Sequence, residues 1–434
     1  MSNHQLNQYA RNNGRSGIQD HALIYIEDML CGVPPTLPEH SIFRVRPQLR
    51  RVNNKAYEPE ILVVGPHHYG NDKFKSMEEQ KMRYVQQLLQ RRKEESIDRY
   101  MPTLRELEQL VRNCYAETIN LSQEKFLAMM FIDGCFIVEL FRKYNMEKLR
   151  NKDGPLMEAD WIRYCLQRDL LLLENQLPLF FLNKLYDLTK RSDEPRELID
   201  IATTYFDFKL GDSGQCPTLR ESKHLLHLMH TCWTSGLPNV PRLSGRAPPT
   251  KEKLMFMSSA TELRESGVKL RAVRGRHMKD IRFENGKLEI PVLIVQDHTE
   301  SQFRNLIAYE QHRQGGGISY FTDYVTLMDC LINSSKDVEV LRRAGIIKNY
   351  LGDDEVIAQM FNRMGDYVTL PNFYYSEIFK TVNAYCNKRR NVWMAKLRRE
   401  YFHSPWAFLS VLAAIVLLLL AAAQTVFTIL SYTK

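Results

Sequence analysis

MMFIDGCFIVELF, residues 129–141, is an almost continuous apolar run broken by two acids, Asp133 and Glu139. Extended to KFLAMMFIDGCFIVELFRKY (125–144), it is too long for a strand and reads as a buried helix. Acids rarely go inside a protein unless something pairs with them, so Asp133 and Glu139 each demand a partner. Most of the surrounding chain also shows helical spacing: ELEQLVRNCYAETINL (106–121), residues 161–189 with Pro178 as kink or break, and ESKHLLHLMHTCW (221–233). Further helices are expected over 321–334, 336–351 with Gly345 as cap or bend, and 354–364.

The clear β signal lies past the middle. VKLRAV is followed by DIRFENGKLEIPVLIV, where Asn285-Gly286 separates two alternating runs, the strongest short hairpin cue. Pro291 restricts its strand to an edge or to the end of pairing. The expected fold class is therefore mainly α: a large helical body with a small β-hairpin, plus one C-terminal transmembrane helix. Residues 235–253, rich in Pro, Gly and Ser, are the candidate lobe boundary.

That last helix is the second strong signal. From Phe402 to Thr433 there is no Asp, Glu, Lys or Arg, and WAFLSVLAAIVLLLLAAA (406–423) is long enough to span a bilayer core. Before it stands KRRNVWMAKLRRE (388–400), with six basic residues against one Glu, whereas only Lys434 follows it. The positive-inside bias places the N-terminal body in the cytoplasm, as in a single-pass, tail-anchored protein of the plasma membrane or endoplasmic reticulum. Lys388, Arg389, Arg390, Lys396, Arg398 and Arg399 are the candidate contacts to anionic lipid, at about 1 kcal/mol each.

The organisation expected is a disordered tail at 1–38 and a helical domain over 39–387. A basic juxtamembrane segment (388–404), a membrane helix (405–430) and a short end (431–434) follow. At 434 residues, with 44% hydrophobic and 25% charged residues, the chain is long enough for a sizeable core. Eight cysteines without a C-x-x-C pair read as thiols in a reducing compartment, and the polar N-terminus offers no secretory signal. The net charge of +8 invites an anionic partner, here lipid through 405–430 rather than nucleic acid.

Chemistry is sparse. There is no phosphate-binding glycine loop, no G-x-S-x-G and no H-E-x-x-H. His224, His227 and His230 recur every third residue among leucines, and read as a half-buried helix face rather than a zinc site. No catalytic, cofactor or metal residues are assigned. The candidate buried polar network is Asp133, Glu139, Asp169, Glu174, Arg168 and Arg304. Removing one partner from a buried ion pair costs about 3–5 kcal/mol, which favours structural pairing over acid–base catalysis.

Several blocks occur in order: IFRVRPQLRRVNNKAYEPEILVVGPHHYG, FIDGCFIVELFR, RDLLLLENQLPLFFLNKLY, TELRESGVKL, KLEIPVLIVQDHTESQFRNLIAYEQ, YVTLMDCLINSSKDVEVLRRAGII and YFHSPWAFLSVLAAIVLLLL. Together they resemble the plant domain-of-unknown-function 247 family from about residue 41 to 430. The family's usual GPYHHG-like turn is here Gly65-Pro66-His67-His68-Tyr69-Gly70. The resemblance implies a plant protein with one C-terminal membrane span, and links some grass members to self-incompatibility. It assigns no catalytic residue.

The expected function is therefore a membrane-anchored, non-enzymatic recognition or scaffold protein, in signalling or pollen–stigma self-incompatibility, with a protein partner of unknown identity. The alternative is a membrane-tethered hydrolase using Asp133, Asp169 or Glu174 with His67 or His68. A third reading, ligand sensing between the helical halves, has no residue signal of its own.

Overall fold

The computed structural model describes residues 40–149, 159–191, 194, 197–207, 222–234, 256–273, 280–313, 319–370, 373–388 and 405–432, together with Ala22, Tyr25 and Ile26. The linker at 235–253, nearly all of the tail at 1–38, and Arg389, Arg390, Lys396, Arg398 and Arg399 lie outside the described residues.

The fold is mainly helical. After α1 (Pro47–Val52), α2 (Lys75–Arg92) and α3 (Met101–Arg112) comes the central helix α4 (Gln123–Asn145). Ser122 caps α4 by accepting the Lys125 N–H, Glu124 sits in its first turn, and Arg142 and Lys143 sit in its last, each favourable to the helix dipole. From Phe126 to Lys143 almost every α4 side chain is buried, because α2, α3, α6 (Leu179–Thr189) and α7 (Leu198–Tyr205) pack around it. Gly134 lets α6 come close, since a Cβ there would collide with Leu185 Cδ1.

Between α5 (Asp160–Asp169) and α6, residues 170–178 are a buried loop. The helical stretch expected over 161–189, with Pro178 as kink or break, is indeed broken, but it ends at Asp169, well before Pro178, which instead occupies the N-cap of α6. The physical reason is the polar trio Glu174, Asn175 and Gln176, whose side chains bond to backbone groups and compete with helix formation.

The second half holds α8 (Leu225–Thr234), α9 (Ala260–Glu265), β1 (Lys269–Val273), β2 (Arg282–Glu284), β3 (Lys287–Pro291) and β4 (Leu293–Val295). Then follow α10 (Thr299–His312), α11 (Tyr320–Leu331), α12 (Ser335–Arg343), β5 (Ile347–Asn349), α13 (Asp354–Met364), α14 (Ser376–Cys386) and α15 (Pro405–Tyr432). The hairpin is present: β2 and β3 pair antiparallel, and Asn285 (φ 52) and Gly286 (φ 74) supply the two positive φ angles of a type I′ turn. Pro291 ends β3.

Two features exceed the expected hairpin. β1 pairs parallel with β3, giving the order β1-β3-β2, and β4 pairs parallel with β5. The helix expected over 336–351 stops at Arg343, where Gly345 (φ 75) closes it: the Ile346 N–H reaches Leu341 O, and the Gly345 N–H reaches Arg342 O. Cys114, Cys135, Cys165, Cys232, Cys330 and Cys386 are thiols rather than disulfide halves.

Candidate functional site

Two of the candidate acids, Asp133 and Asp169, converge on an extended stretch, EPEILVVG (58–65). Leu62, Val63 and Val64 are buried, so the backbone around them cannot reach water and needs protein partners. Side chains provide them. Asp169, at the end of α5, accepts the N–H groups of Glu60, Ile61 and Leu62 at 2.8–3.0 Å. Asn175 accepts from the Val64 N–H at 2.7 Å and donates to Leu62 O at 2.9 Å. Asp133, on α4, accepts the Gly65 N–H at 2.9 Å. Lys81, on α2, donates to Val63 O at 2.5 Å and to Asp133 at 2.7 Å.

These bonds use the oxygens that acid–base chemistry would need. Burial raises the Asp133 carboxyl above its usual range, against the pull of Lys81 and the Gly65 N–H. Burial also raises Asp169, opposed by its three backbone N–H groups and by Arg168, which pairs with it at 2.7 Å. Arg168 further donates to Glu58 O and Lys55 O, fixing the start of the same stretch.

The stretch ends in a turn at Gly65 (φ 71), where a Cβ would stand 2.9 Å from Gln176 O. His67 and His68 follow, each with a buried Nε2 that has no hydrogen-bond partner. Burial, helped by nearby Arg44, lowers the His67 pKa to about 4. Glu174 accepts the Val45 N–H at 2.7 Å and pairs with Arg50 at 2.5 Å, while His68 Nε2 stands 3.7 Å away. Of the acids paired with His67 or His68 in the hydrolase alternative, Glu174 is the one this corner brings near His68.

Glu139 and Arg304 stand elsewhere. Glu139 pairs with Arg142 and, at 2.7 Å, with Arg91, and both arginines reach Glu194 at 2.8 Å. Arg304 pairs with Glu300 one turn earlier on α10, at 2.7 Å. The six candidate residues therefore belong to several clusters rather than one network. Of the basic residues before α15, Lys388 is described, and its Nζ lies 5.8 Å from the centre of the Tyr385 ring.

Lys81, Asn175, Glu194 and Glu310 were not singled out in the sequence. Lys81 did carry a signal: with Met77, Tyr84, Val85 and Leu88 it lies on the buried stripe of α2. Asn175 and Glu194 carried none, because their partners are remote in sequence. His224, just before α8, and His227 and His230 on it also act structurally. His224 Nε2 lies 3.0 Å from Ser41 O and its Nδ1 accepts the His227 N–H, while His227 Nδ1 accepts the Lys223 N–H. His230 meets Glu310 at 2.8 Å, and Glu310 also caps α11 through the Phe321 and Thr322 N–H groups.

Known proteins resemble this chain over most of its length. The family described as "Plant protein of unknown function" matches residues 42–420. The chain is similar to the UPF0481 protein At3g47200 of Arabidopsis thaliana, with 30% identity over 415 residues, covering 90% of this chain and 86% of that protein. It is also similar to the UPF0481 protein At3g02645 of the same plant, with 23% identity over 478 residues, covering 88% and 89%. No solved structure matches. The chain belongs to the plant domain-of-unknown-function 247 family.

Proposed function

We propose that this is a membrane-anchored, non-enzymatic recognition or scaffold protein, held in the bilayer by α15 with its helical body on the cytosolic side. The observation that carries the anchoring is the state of α15. Its Leu412–Ile429 window is long and apolar enough to cross a membrane, and none of that window is buried within the protein. Leu418 and Phe427 are 71% and 72% exposed. A helix apolar on every face, and left uncovered by the described part of its own chain, calls for lipid. The basic run at 388–399 supports the cytosolic orientation.

The non-enzymatic part rests on the acids. Asp133 and Asp169 hold backbone N–H groups and a neighbouring cation, a structural use of the residues a hydrolase would have drawn on. The setting, signalling or pollen–stigma self-incompatibility, follows from the family resemblance. Alkaline carbonate extraction of membranes carrying the full chain tests the anchor, with retention in the pellet expected and release to the supernatant overturning it. Protease digestion of sealed vesicles tests orientation: an N-terminal tag should be cleaved from outside. Proximity labelling from the anchored protein in plant tissue should return a reproducible protein partner.

A further inference from the structure

A cavity of about 410 Å³ opens between α5, the end of α7, α8 and the start of α10. Its volume falls within the range of small-molecule sites. Tyr144, Tyr164, Phe206 and Trp233 line it, and so do the oppositely charged side chains Arg163 and Asp207. Three of these four aromatic walls are fixed from behind. Trp233 stacks on Phe321 with ring centroids 5.1 Å apart, Phe206 meets Phe141 edge-on at 5.7 Å, and Tyr144 meets Tyr205 edge-on at 5.2 Å. Such walls lose little freedom when a ring enters.

The charges narrow the ligand. Arg163 lies over the rings of Tyr144 and Tyr164, at 6.0 and 5.3 Å. Its ion-pair partner is Asp160 at 2.7 Å, whose side chain is 77% exposed. A pair that open to water contributes little, so a ligand carboxylate can take its place on the guanidinium. Asp207 lines the same cavity with the opposite charge. A ligand matching both groups carries a carboxylate, an ammonium and a flat apolar body.

We propose that this cavity binds a zwitterion of the aromatic amino-acid class: its ring lies among Tyr164, Phe206 and Trp233, its carboxylate on Arg163 and its ammonium on Asp207. The site is independent of the membrane reading.

The test is calorimetric titration of the full chain in detergent micelles with three probes: L-tryptophan, indole-3-propionate, which lacks the ammonium, and tryptamine, which lacks the carboxylate. Saturable binding of L-tryptophan is expected, with both truncated probes about tenfold weaker or more. Arg163→Gln should weaken L-tryptophan by about tenfold and leave tryptamine unchanged. Asp207→Asn should weaken L-tryptophan equally and leave indole-3-propionate unchanged, about 1.4 kcal/mol for each tenfold loss. No saturation with L-tryptophan overturns the proposal. So does indole-3-propionate or tryptamine binding as tightly as L-tryptophan. If Arg163→Gln does not fold, Asp207→Asn decides alone, and unchanged L-tryptophan affinity in that variant also overturns it.

Discussion

Residues 58–65 and the β1–β3–β2 sheet solve the same problem by opposite means. Both are extended chain that must satisfy its backbone. In the sheet, main chain pairs with main chain, from Lys269 opposite Lys287 to Val273 opposite Pro291. At 60–65 no strand runs alongside among the described residues, and the partners are Asp169, Asn175, Asp133 and Lys81. A backbone ladder tolerates side-chain change, because almost every residue type carries the same N–H and C=O. A side-chain ladder concentrates the same burden on a few positions that cannot vary.

Substitutions can break that comparison, and the largest effect falls on Asp169. Asp169→Ala strips the partner from three N–H groups, at about 1–3 kcal/mol for each one left buried and unpaired. Since whole domains are stable by about 5–15 kcal/mol, the variant is expected to lose cooperative unfolding in thermal melts in micelles. A near-native melt would refute the ladder. Asp133→Asn comes next. It keeps an acceptor for the Gly65 N–H but leaves the buried Lys81 ammonium with Glu78 as its one carboxylate, at about 3 kcal/mol. Adding Lys81→Met should recover part of that loss, and a double-mutant cycle with no coupling would separate the two residues.

Acid sharpens the contrast, because His67 sits in the turn that directly follows the clamped segment whereas the sheet strands hold no histidine. Unfolded His67 takes a proton near 6.5, but in the fold only near 4. Its stabilising contribution is complete above 6.5 and is lost as pH falls toward 4. His67→Gln should flatten the pH dependence of stability in that window, measured by denaturant titration. In the sheet, Gly286→Ala meets both a φ of 74° and Tyr385 Oη at 2.6 Å from the new Cβ, and should cost about 1–3 kcal/mol in the same titration. Arg271→Ala, in an exposed 3.8 Å pair with Glu289, should stay within about 0.5 kcal/mol. A larger loss there than at Asp133 would invert the comparison.

How much was legible follows from the range of each interaction. The α4 helix, the Asn285-Gly286 hairpin and α15 rest on neighbours within a few residues, so periodicity and turn chemistry reveal them. The demand that Asp133 be paired was legible too, since an acid in an apolar run needs a partner. Its partner was not: Lys81 lies 52 residues away in a charge-rich helix, and the abundance of arginines pointed elsewhere. The break after Asp169 was hidden for a related reason, because RDLLLLENQLP looks helical until Gln176 and Asn175 find backbone groups to bond.

Sequence alone thus determined the helical class, the hairpin, the apolar C-terminal helix and the family, all carried by local pattern or ordered motifs. Only the tertiary structure decided which charges meet, that an extended segment is clamped by carboxylates, and that four aromatic rings, Arg163 and Asp207 line one cavity. Those groups are brought together by the packing of helices far apart in the chain, and no local spacing encodes that distance.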